Sequence, residues 1–271
     1  MSDFKYYKVL SIAGSDSGGG AGIQADIKTI SACGCYAATA ITAITVQNTM
    51  GVQDVHAVPT HIIKAQIEAV LDDIGADAVK IGMLHTPEVV KTVASVLGRY
   101  KIKNIVLDPV MVATSGDSLL QNEAIQTLIH DLLPLARLIT PNIPEAERLL
   151  GKKISSYQQM LDNVKLLSMH AGVSVFLKGG HLEENSLTDI FYNAENNTVI
   201  ELNSEKINSL NTHGTGCTLS SALAAFLAKG FALDEAVQEA KNYIHQAIVA
   251  GADYKIGNGH GPVRHFFKYW E

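Results

Sequence analysis

Short apolar runs alternate with amphipathic segments along almost the whole chain. Runs such as NIVLD and SVFLK are nearly continuous in apolar residues, which is typical of parallel strands covered on both faces. The segments between the runs carry apolar residues three or four positions apart, as Ile23, Ile27 and Ile30 do, and this spacing predicts helices. Such an alternation predicts an α/β fold in which helices cover both faces of a mostly parallel central sheet, a three-layer αβα sandwich.

The predicted elements follow one another without a linker, a repeat or a low-complexity segment. In chain order, the predicted strands are YKVLSIAG, ATAITAITV, DAVKIGM, KNIVLDPVM, ARLIT, SVFLKGG, LTDIFYN and TVIELNSEKI, the last two resembling a hairpin. The predicted helices are GIQADIKTISACG, PTHIIKAQIEAVLDDIG, TPEVVKTVASVLGRY with Thr86 as its N-cap, NEAIQTLIHDLL, PNIPEAERLL, a segment near 157–170, and two helices that close the chain. We therefore expect a single domain over residues 1–271.

Composition narrows the range of partners and of cellular locations. The 271 residues carry a net charge of −6 and a pI near 5.9, so nothing resembles the basic surface of a nucleic-acid-binding protein. No apolar stretch reaches the roughly 18 residues of a membrane span, and the N-terminus lacks the apolar core of a signal peptide. The cysteines Cys33, Cys35 and Cys217 form no CxxC pair, which favours reduced thiols. We expect a cytoplasmic protein that binds neither nucleic acid nor membrane.

Glycine-rich and acidic segments follow several predicted strands, where doubly wound sheets bind their ligands. The segment GSDSGGGAG holds more glycine than a turn requires, so it predicts a mobile wall over a small substrate, with Asp16 or Asp26 reaching into the pocket. A flexible turn is the alternative. Gly20, Gly22 and Ala25 also satisfy a weak dinucleotide-binding pattern, but the acidic residue expected about 20 positions later is missing. A nicotinamide-dependent dehydrogenase is therefore a weaker hypothesis.

Four further residues at or just after strand ends have side chains that could bind a metal ion or a phosphate. Asn142 and Glu145 begin a predicted helix, where they act either as a helix cap or as ligands of Mg²⁺, with Asp108 as a second acid in the same crevice. The alternative for Asp108 is a cap of the turn before Pro109. Lys178 precedes two glycines at a strand end and is either a surface lysine or a phosphate ligand.

The segment THGTGC predicts an anion site at the start of a helix. Gly214 and Gly216 permit a turn whose N–H groups converge, and the helix from about residue 215 adds its dipole. A helix start capped by Thr212 or Thr215 is the alternative. Cys217 lies in the first turn, where N–H groups are expected to favour its thiolate. Its role as nucleophile, weak base or member of the anion site is open at this point.

These segments resemble, in the same order, those of the hydroxymethylpyrimidine/phosphomethylpyrimidine kinases of thiamin synthesis. The resemblance rests on GSDSGGGAGIQADIKT, VQNT, KIGML, VLDPVM, LITPNIPEAE, LKGGH, NTHGTGCTLSSALAA and GNGHGPVRHF, which span essentially the whole chain. It implies a ribokinase-like fold, ATP and Mg²⁺ as cofactors, and a homodimer. It also implies phosphorylation of 4-amino-5-hydroxymethyl-2-methylpyrimidine and then of its monophosphate. A pyridoxal or pyridoxine kinase of the same superfamily and a non-catalytic binding protein for a vitamin precursor are the alternatives.

The resemblance also implies roles for single residues. The positions that match the pyrimidine pocket are Gly14, Asp26, Thr45, Gln47, Met83 and Val110, with Thr45 where the family often has Val. The positions that match the phosphate and metal sites are Asn142, Glu145, Lys178, Gly214, Thr215, Gly216 and Cys217. Asp108 is expected to be a further metal ligand because of its place at a strand end. The chain departs from the family pattern at Thr114, where a lysine that helps to bind the phosphates is expected. Lys178, Mg²⁺ and the helix terminus must then bind the phosphates without it, or another cation takes its place.

The family context favours one interpretation of Cys217. Sugar kinases of the superfamily usually carry an Asp at this position as the base for the substrate hydroxyl. The second reaction has a phosphate as its acceptor, with a pKa near 6 for that group, and an Asp would repel it. A cysteine admits the phosphate and can still take a proton from the alcohol, so Cys217 is predicted to be a member of the anion site and a weak base.

Overall fold

The structure, a computed structural model, describes residues 5–111, 119–180 and 186–270. Thr114 lies outside the described residues. Within these ranges the chain forms a nine-stranded sheet with the order β3-β2-β1-β4-β5-β6-β7-β8-β9. The strands are β1 (Lys8–Asp16), β2 (Tyr36–Asn48), β3 (Gly51–Ala57), β4 (Ala78–Ile81), β5 (Ile105–Leu107), β6 (Leu138–Ile139), β7 (Ser174–Leu177), β8 (Ser186–Asn193) and β9 (Thr198–Glu205).

The central strands are parallel and the edges are antiparallel. β2, β1, β4, β5, β6 and β7 run parallel to one another, β3 folds back on β2, and β8 and β9 form a hairpin beside β7. The mostly parallel sheet and the hairpin are therefore confirmed, whereas β3 is an element that the sequence pattern did not predict. Because the parallel strands point the same way, their carboxyl ends meet along one edge.

The helices agree with the predicted segments except at one place. They are α1 (Gly22–Ala32), α2 (Thr60–Asp73), α3 (Pro87–Tyr100), α4 (Asn122–Thr127), α5 (Ile143–Leu150), α6 (Tyr157–Ala171), α7 (Thr215–Ala228) and α8 (Leu233–Gly251). The segment predicted as one helix from Asn122 onward continues after α4 as a π-helical turn over Leu128–Leu132 and a 3-10 turn over Leu133–Leu135. Pro134 explains this change because it has no N–H to donate and its ring opposes the carbonyl four residues earlier.

Two apolar cores separate the sheet from its two helix layers. Alternate strand residues enter opposite cores, with Leu10 and Ile12 on one face of β1 and Val9 on the other. Helices α2 to α6 pack on the first face, and α1, α7 and α8 pack on the second. The three-layer αβα sandwich is thereby confirmed. None of the helices in the described ranges combines the length and the apolar character needed to cross a membrane.

Candidate active site

One cavity of about 1040 Å³ opens along the edge where the parallel strands end. It collects residues from β1, β2 and β4, from the segments that directly follow β5 and β7, and from the starts of α5 and α7. The predicted site residues that line it are Gly14, Thr45, Gln47, Met83, Asp108, Val110, Asn142, Glu145, Lys178, Gly214, Thr215, Gly216 and Cys217. The fold thus brings residues more than 200 positions apart in sequence into one wall.

One end of the cavity is apolar. Met83 packs with Ala43 and Leu119, and Val110 lies against this group. The β1–β2 register shifts between Ala13 and Ser15, so Gly14 sits at an irregular point of the strand. A Cβ at Gly14 would lie 3.0 Å from the Met83 sulfur, so the glycine leaves room for the Met83 side chain.

Gln47 adds a polar group to this apolar end. The β2–β3 register shifts between Val46 and Gln47, and such bulges re-aim side chains beside functional sites. Its Oε1 accepts a 3.1 Å hydrogen bond from the Thr45 hydroxyl, which itself also contacts the Ser15 carbonyl at 2.9 Å. The side-chain nitrogen Nε2 of Gln47 has no hydrogen-bond partner within the part of the chain that the structure describes. An apolar surface with one oriented amide suits a flat heteroaromatic ring.

Asp26 is not in the cavity wall, contrary to the prediction that it contacts the substrate. It is fully buried, and its carboxylate accepts hydrogen bonds from Lys80 Nζ at 2.8 and 2.9 Å, Ser11 at 2.6 Å and Ser221 at 2.7 Å. Lys80 lines the cavity in its place. Burial acts to lower the pKa of Lys80, but Asp26, together with the nearby Cys217 and Asp108, raises the pKa above its usual value, so the ammonium stays charged. The sequence signal for Lys80 was a lysine inside the apolar strand AVKI.

The other end of the cavity is charged. Lys178 Nζ lies 3.0 Å from Asp108 Oδ1 and 3.9 Å from Glu145 Oε2. Asp108 also accepts hydrogen bonds from Thr140 at 3.0 Å and from Ser220 at 3.3 Å. Burial acts to lower the pKa of Lys178, but the two carboxylates outweigh it and raise the pKa above its usual value. Lys178 is therefore a fixed cation within the cavity wall.

Asn142 and Glu145 form a helix cap and also line the site. Asn142 Oδ1 accepts the N–H of Glu145 at 2.9 Å, and Glu145 Oε2 accepts the N–H of Asn142 at 2.8 Å, which is a capping box for α5. The capping interpretation is confirmed, and it does not exclude the other one, because Glu145 remains in the cavity wall. Burial first, and the charge of Asp108 as well, raise the pKa of Glu145 above its usual range.

These oxygen atoms fit a hard cation better than a transition metal. Across the described ranges, no three His, Cys, Asp or Glu side chains are arranged to hold a metal by themselves. Mg²⁺ is commonly held by one or two carboxylates together with substrate phosphates. Asp108 and Glu145 supply two such carboxylates, each within 4 Å of Lys178 Nζ.

The start of α7 presents backbone N–H groups to the cavity. Gly214 is the N-cap, with a left-handed φ of 79°, and no side chain caps the helix, so capping by Thr212 or Thr215 is wrong. The N–H groups of Gly216 and Cys217 have no acceptor among the described residues. A Cβ at Gly216 would lie 3.3 Å from Lys178 Nζ and 3.4 Å from Asp108 Oδ2, so the start of α7 lies against the charged end of the cavity. The arrangement suits an anion.

Cys217 is a neutral thiol in this structure, contrary to the expectation of a favoured thiolate. Burial raises the pKa of its thiol to about 11, although Lys80 and the Gly22 N–H act in the opposite direction. The physical reason is that removing the sulfur from water penalises its charged form more than the nearby cation stabilises it. A neutral thiol imposes no repulsion on an incoming phosphate.

Asp16 lines the cavity, but its carboxylate is directed to the protein. It accepts hydrogen bonds from the N–H groups of Gly18, Gly20 and Ala21 at 2.8 to 3.0 Å, and from His213 Nε2 at 2.8 Å. Burial acts to raise the pKa of Asp16, but the hydrogen bonds from His213 and Ala21 outweigh it and lower the pKa. Asp16 therefore shapes the glycine-rich segment.

Comparisons with known proteins agree with this geometry. The sequence model of the family described as phosphomethylpyrimidine kinase matches residues 16–264. The chain is 50% identical over 263 residues to hydroxymethylpyrimidine/phosphomethylpyrimidine kinase of Rhizobium meliloti, covering 97% of this chain and 98% of the relative.

Two solved structures have the same fold. Phosphomethylpyrimidine kinase of Clostridium difficile is 45% identical with a TM-score of 0.80, covering 90% of this chain and 100% of that one. The ADP complex of pyridoxal kinase from Bacillus subtilis is 38% identical with a TM-score of 0.88, covering 96% of this chain and 98% of that one. These matches exclude a dehydrogenase and a non-catalytic binding protein. The chain is a phosphotransferase of ribokinase-like fold and belongs to the phosphomethylpyrimidine kinase family.

Proposed function

We propose that the protein transfers a phosphoryl group from ATP to the hydroxymethyl group of 4-amino-5-hydroxymethyl-2-methylpyrimidine, and a second one to the resulting monophosphate. The observation that carries the proposal is one cavity with an apolar end bearing Gln47 and an anion-binding end formed by Lys178 and the start of α7. The name of the Rhizobium meliloti relative supports the same substrate pair.

The apolar end would bind the pyrimidine. Met83 and Val110 offer flat contact to a ring, and the Gln47 amide offers both a donor and an acceptor to an aminopyrimidine edge. Thr45 would fix the orientation of that amide through its hydroxyl. In this orientation the acceptor atom of the substrate would point toward Cys217 and the start of α7.

The charged end would stabilise the transferred group. Phosphoryl transfer depends mostly on positioning and on charge stabilisation. Lys178 and the N–H groups of Gly216 and Cys217 would bind the oxygens of the phosphoryl group during transfer. Asn142 and Thr215 would contact the nucleotide phosphates. Bound Mg²⁺, held by Asp108 and Glu145, would neutralise charge on those phosphates.

A substrate panel tests the proposal. The purified protein is supplied with ATP and Mg²⁺ and with the pyrimidine alcohol, its monophosphate, pyridoxal, pyridoxine or a sugar, and ADP release is followed. We expect the highest kcat/KM for the two pyrimidines. A higher kcat/KM for pyridoxal would overturn the proposal in favour of the pyridoxal kinase alternative, for which the similarity to the Bacillus subtilis enzyme is the supporting observation.

We also propose a cytoplasmic homodimer. Cys33, Cys35 and Cys217 are free, which suits a reducing compartment. The outer face of β2 and its turn expose Val46 by 51% and Met50 by 68%, and an edge ribbon of this kind is suited to pairing with a second copy. Light scattering is expected to give a dimer mass for the wild type and a monomer mass for Val46→Glu; a wild-type monomer contradicts the proposal.

A further inference from the structure

Three chain segments meet at one buried histidine that the proposed reaction does not use. They are the glycine loop (residues 16–22), the anion turn (residues 212–217) and the C-terminal strap (residues 257–265). His213 is only 8% exposed and belongs to the anion turn. Its Nε2 lies 2.8 Å from Asp16 Oδ2, and its backbone N–H donates to the Gly261 carbonyl at 3.0 Å.

The partner of His213 also organises the whole glycine loop. The Asp16 carboxylate that contacts His213 accepts the N–H groups of Gly18, Gly20 and Ala21. One carboxylate therefore joins four donors, three in the glycine loop and one in the anion turn. Both side chains are almost fully withdrawn from water, so a missing partner would leave a buried polar group unsatisfied.

The glycine loop and the anion turn touch without room for a side chain. A Cβ at Gly20 would lie 2.4 Å from the His213 ring, and a Cβ at Gly214 would lie 1.8 Å from the Gly20 carbonyl oxygen. Gly214 also has a left-handed φ of 79°. The backbones of the two segments are therefore in direct contact, and neither can move toward the other.

The C-terminal strap is bound at both of its ends to elements that carry the site. The N–H groups of Gly259 and His260 donate to Thr49 at 3.2 and 2.9 Å, and Thr49 lies in the turn that follows Gln47 and β2. At its other end, His265 Nε2 lies 3.1 Å from the Thr218 hydroxyl in the first turn of α7. The strap therefore contacts both the β2–β3 turn and the helix that bears the anion turn.

We propose that His213 is a positioning residue. Through its contact with Asp16 it fixes the glycine loop against the anion turn, and this fixes the position of the acceptor relative to the phosphoryl group. The proposal rests on the proposed kinase reaction. It assigns His213 no proton transfer and no substrate contact. Misplacement of reacting groups by about 1 Å can slow a reaction by about a hundredfold. The contact between His213 and Asp16 can therefore affect catalysis although His213 does not touch the substrate.

Two substitutions at His213 test its role as a positioning residue. His213→Phe keeps a ring but removes the nitrogen that faces Asp16. We expect kcat to fall about ten- to a hundredfold in both phosphorylation steps, while KM for acceptor and ATP changes little. The reason is that the lost interaction affects the alignment of the acceptor with the phosphoryl group and not the binding of either substrate. His213→Gln restores a donor and is expected to recover most of that kcat. His170→Phe, at an exposed position in α6, is the matched control and retains wild-type kinetics.

A third variant covers the case in which His213→Phe does not fold. Gly20→Ala places a methyl group against the His213 ring and is expected to lower kcat in both steps alike, whereas Gly98→Ala, with nothing within 4 Å of its Cβ, is not. Thermal unfolding confirms that each variant is folded. Wild-type kcat in Gly20→Ala or in folded His213→Phe, a loss confined to the alcohol step, or no recovery in His213→Gln overturns the proposal. Each step is measured with its own acceptor. If the wild type prefers a different acceptor, the same variants are compared on that acceptor, so an unexpected acceptor refutes only the proposed substrate.

Discussion

The two phosphoryl transfers make different demands on Cys217. The alcohol loses a proton during the first transfer, whereas the phosphate monoester of the second has none that must be removed near neutral pH. The thiol is neutral in the resting site because burial raises its pKa to about 11. A neutral thiol does not repel the negatively charged monophosphate, and Lys80, which acts to lower the pKa of the thiol, would favour the thiolate in the proposed role as a base.

Replacing Cys217 is expected to separate the two steps. Cys217→Ser keeps a small polar group but removes any useful anionic form, and loss of a general base costs about 10²–10⁴-fold in rate. The first step is therefore expected to slow clearly more than the second. Cys217→Asp is expected to impair the second step more, because the monophosphate meets a like charge. Each step is measured with its own pure acceptor. Equal losses in Cys217→Ser would leave the residue only a role in the anion site, and a trapped phosphoenzyme would make it a nucleophile.

Gln47 is expected to control binding of the ring. Gln47→Leu keeps the volume and removes the donor and the acceptor, and leaving polar substrate atoms unpaired costs about 1–3 kcal/mol. The KM for the pyrimidine is expected to rise about ten- to a hundredfold, with the KM for ATP unchanged. Gln53→Leu, on the exposed side of the same hairpin, is the control. An unchanged KM for the pyrimidine would remove Gln47 from the pocket.

Glu145 caps α5, and one substitution can test its proposed role at a metal site separately from the cap. Glutamine at this position of a capping box still accepts the backbone hydrogen bond, so Glu145→Gln preserves the start of α5 while removing a charge. We expect lower activity that extra Mg²⁺ partly restores, because a hard-cation site has lost one of its carboxylates. Mg²⁺ titrations of activity measure this, with Glu147→Gln on the same helix as control. A loss of activity with unchanged Mg²⁺ dependence would leave Glu145 as a cap alone.

At the level of whole elements, the sequence predicted those helices and strands that have a local signal, such as a helix cap or an apolar run. It missed the strand that has neither. Thr86 accepts the N–H of Val89 and caps α3 as predicted, because an N-cap is a local signal. β3 was missed because its residues over Gly51–Ala57 are all exposed or half-buried, so the strand has no apolar run. It is an edge strand, and its place depends on pairing with β2.

The same distinction applies to the site. Strand-end glycines and acids predicted the position of the cavity because topology brings those ends together. Asp26 was misplaced because motif resemblance records where a residue lies in the chain and not which way it points. Its spacing from Ile23 and Ile30 puts it on the buried stripe of α1, and this signal was present in the sequence. The Asp16–His213 contact joins residues 197 positions apart, and no local pattern encodes it.

On the scale of the whole molecule, the buried pair of Asp26 and Lys80 joins the central sheet to the helix layer that contains α1 and α7. Asp26 belongs to α1 and Lys80 to β4, while Ser11 of β1 and Ser221 of α7 complete the network. Asp26 raises the pKa of Lys80, and a raised lysine pKa means that its contribution to stability is present at neutral pH and is lost only at strongly alkaline pH. Near neutrality the stability contributed by this pair is therefore expected to be independent of pH.

Removing one partner of this pair is expected to destabilise the protein more than removing both. Lys80→Met leaves the Asp26 carboxylate buried without its cation, which costs about 3–5 kcal/mol in the free energy of unfolding, whereas adding Asp26→Leu removes the unpaired charge and recovers much of that loss. Denaturant unfolding of the two variants measures this difference. Activity is expected to behave differently, because Lys80 also lines the cavity and favours the charged form of Cys217. The double variant should therefore be stable and yet slow in the first phosphorylation step. Full activity in a stable double variant would mean that the pair serves the fold alone.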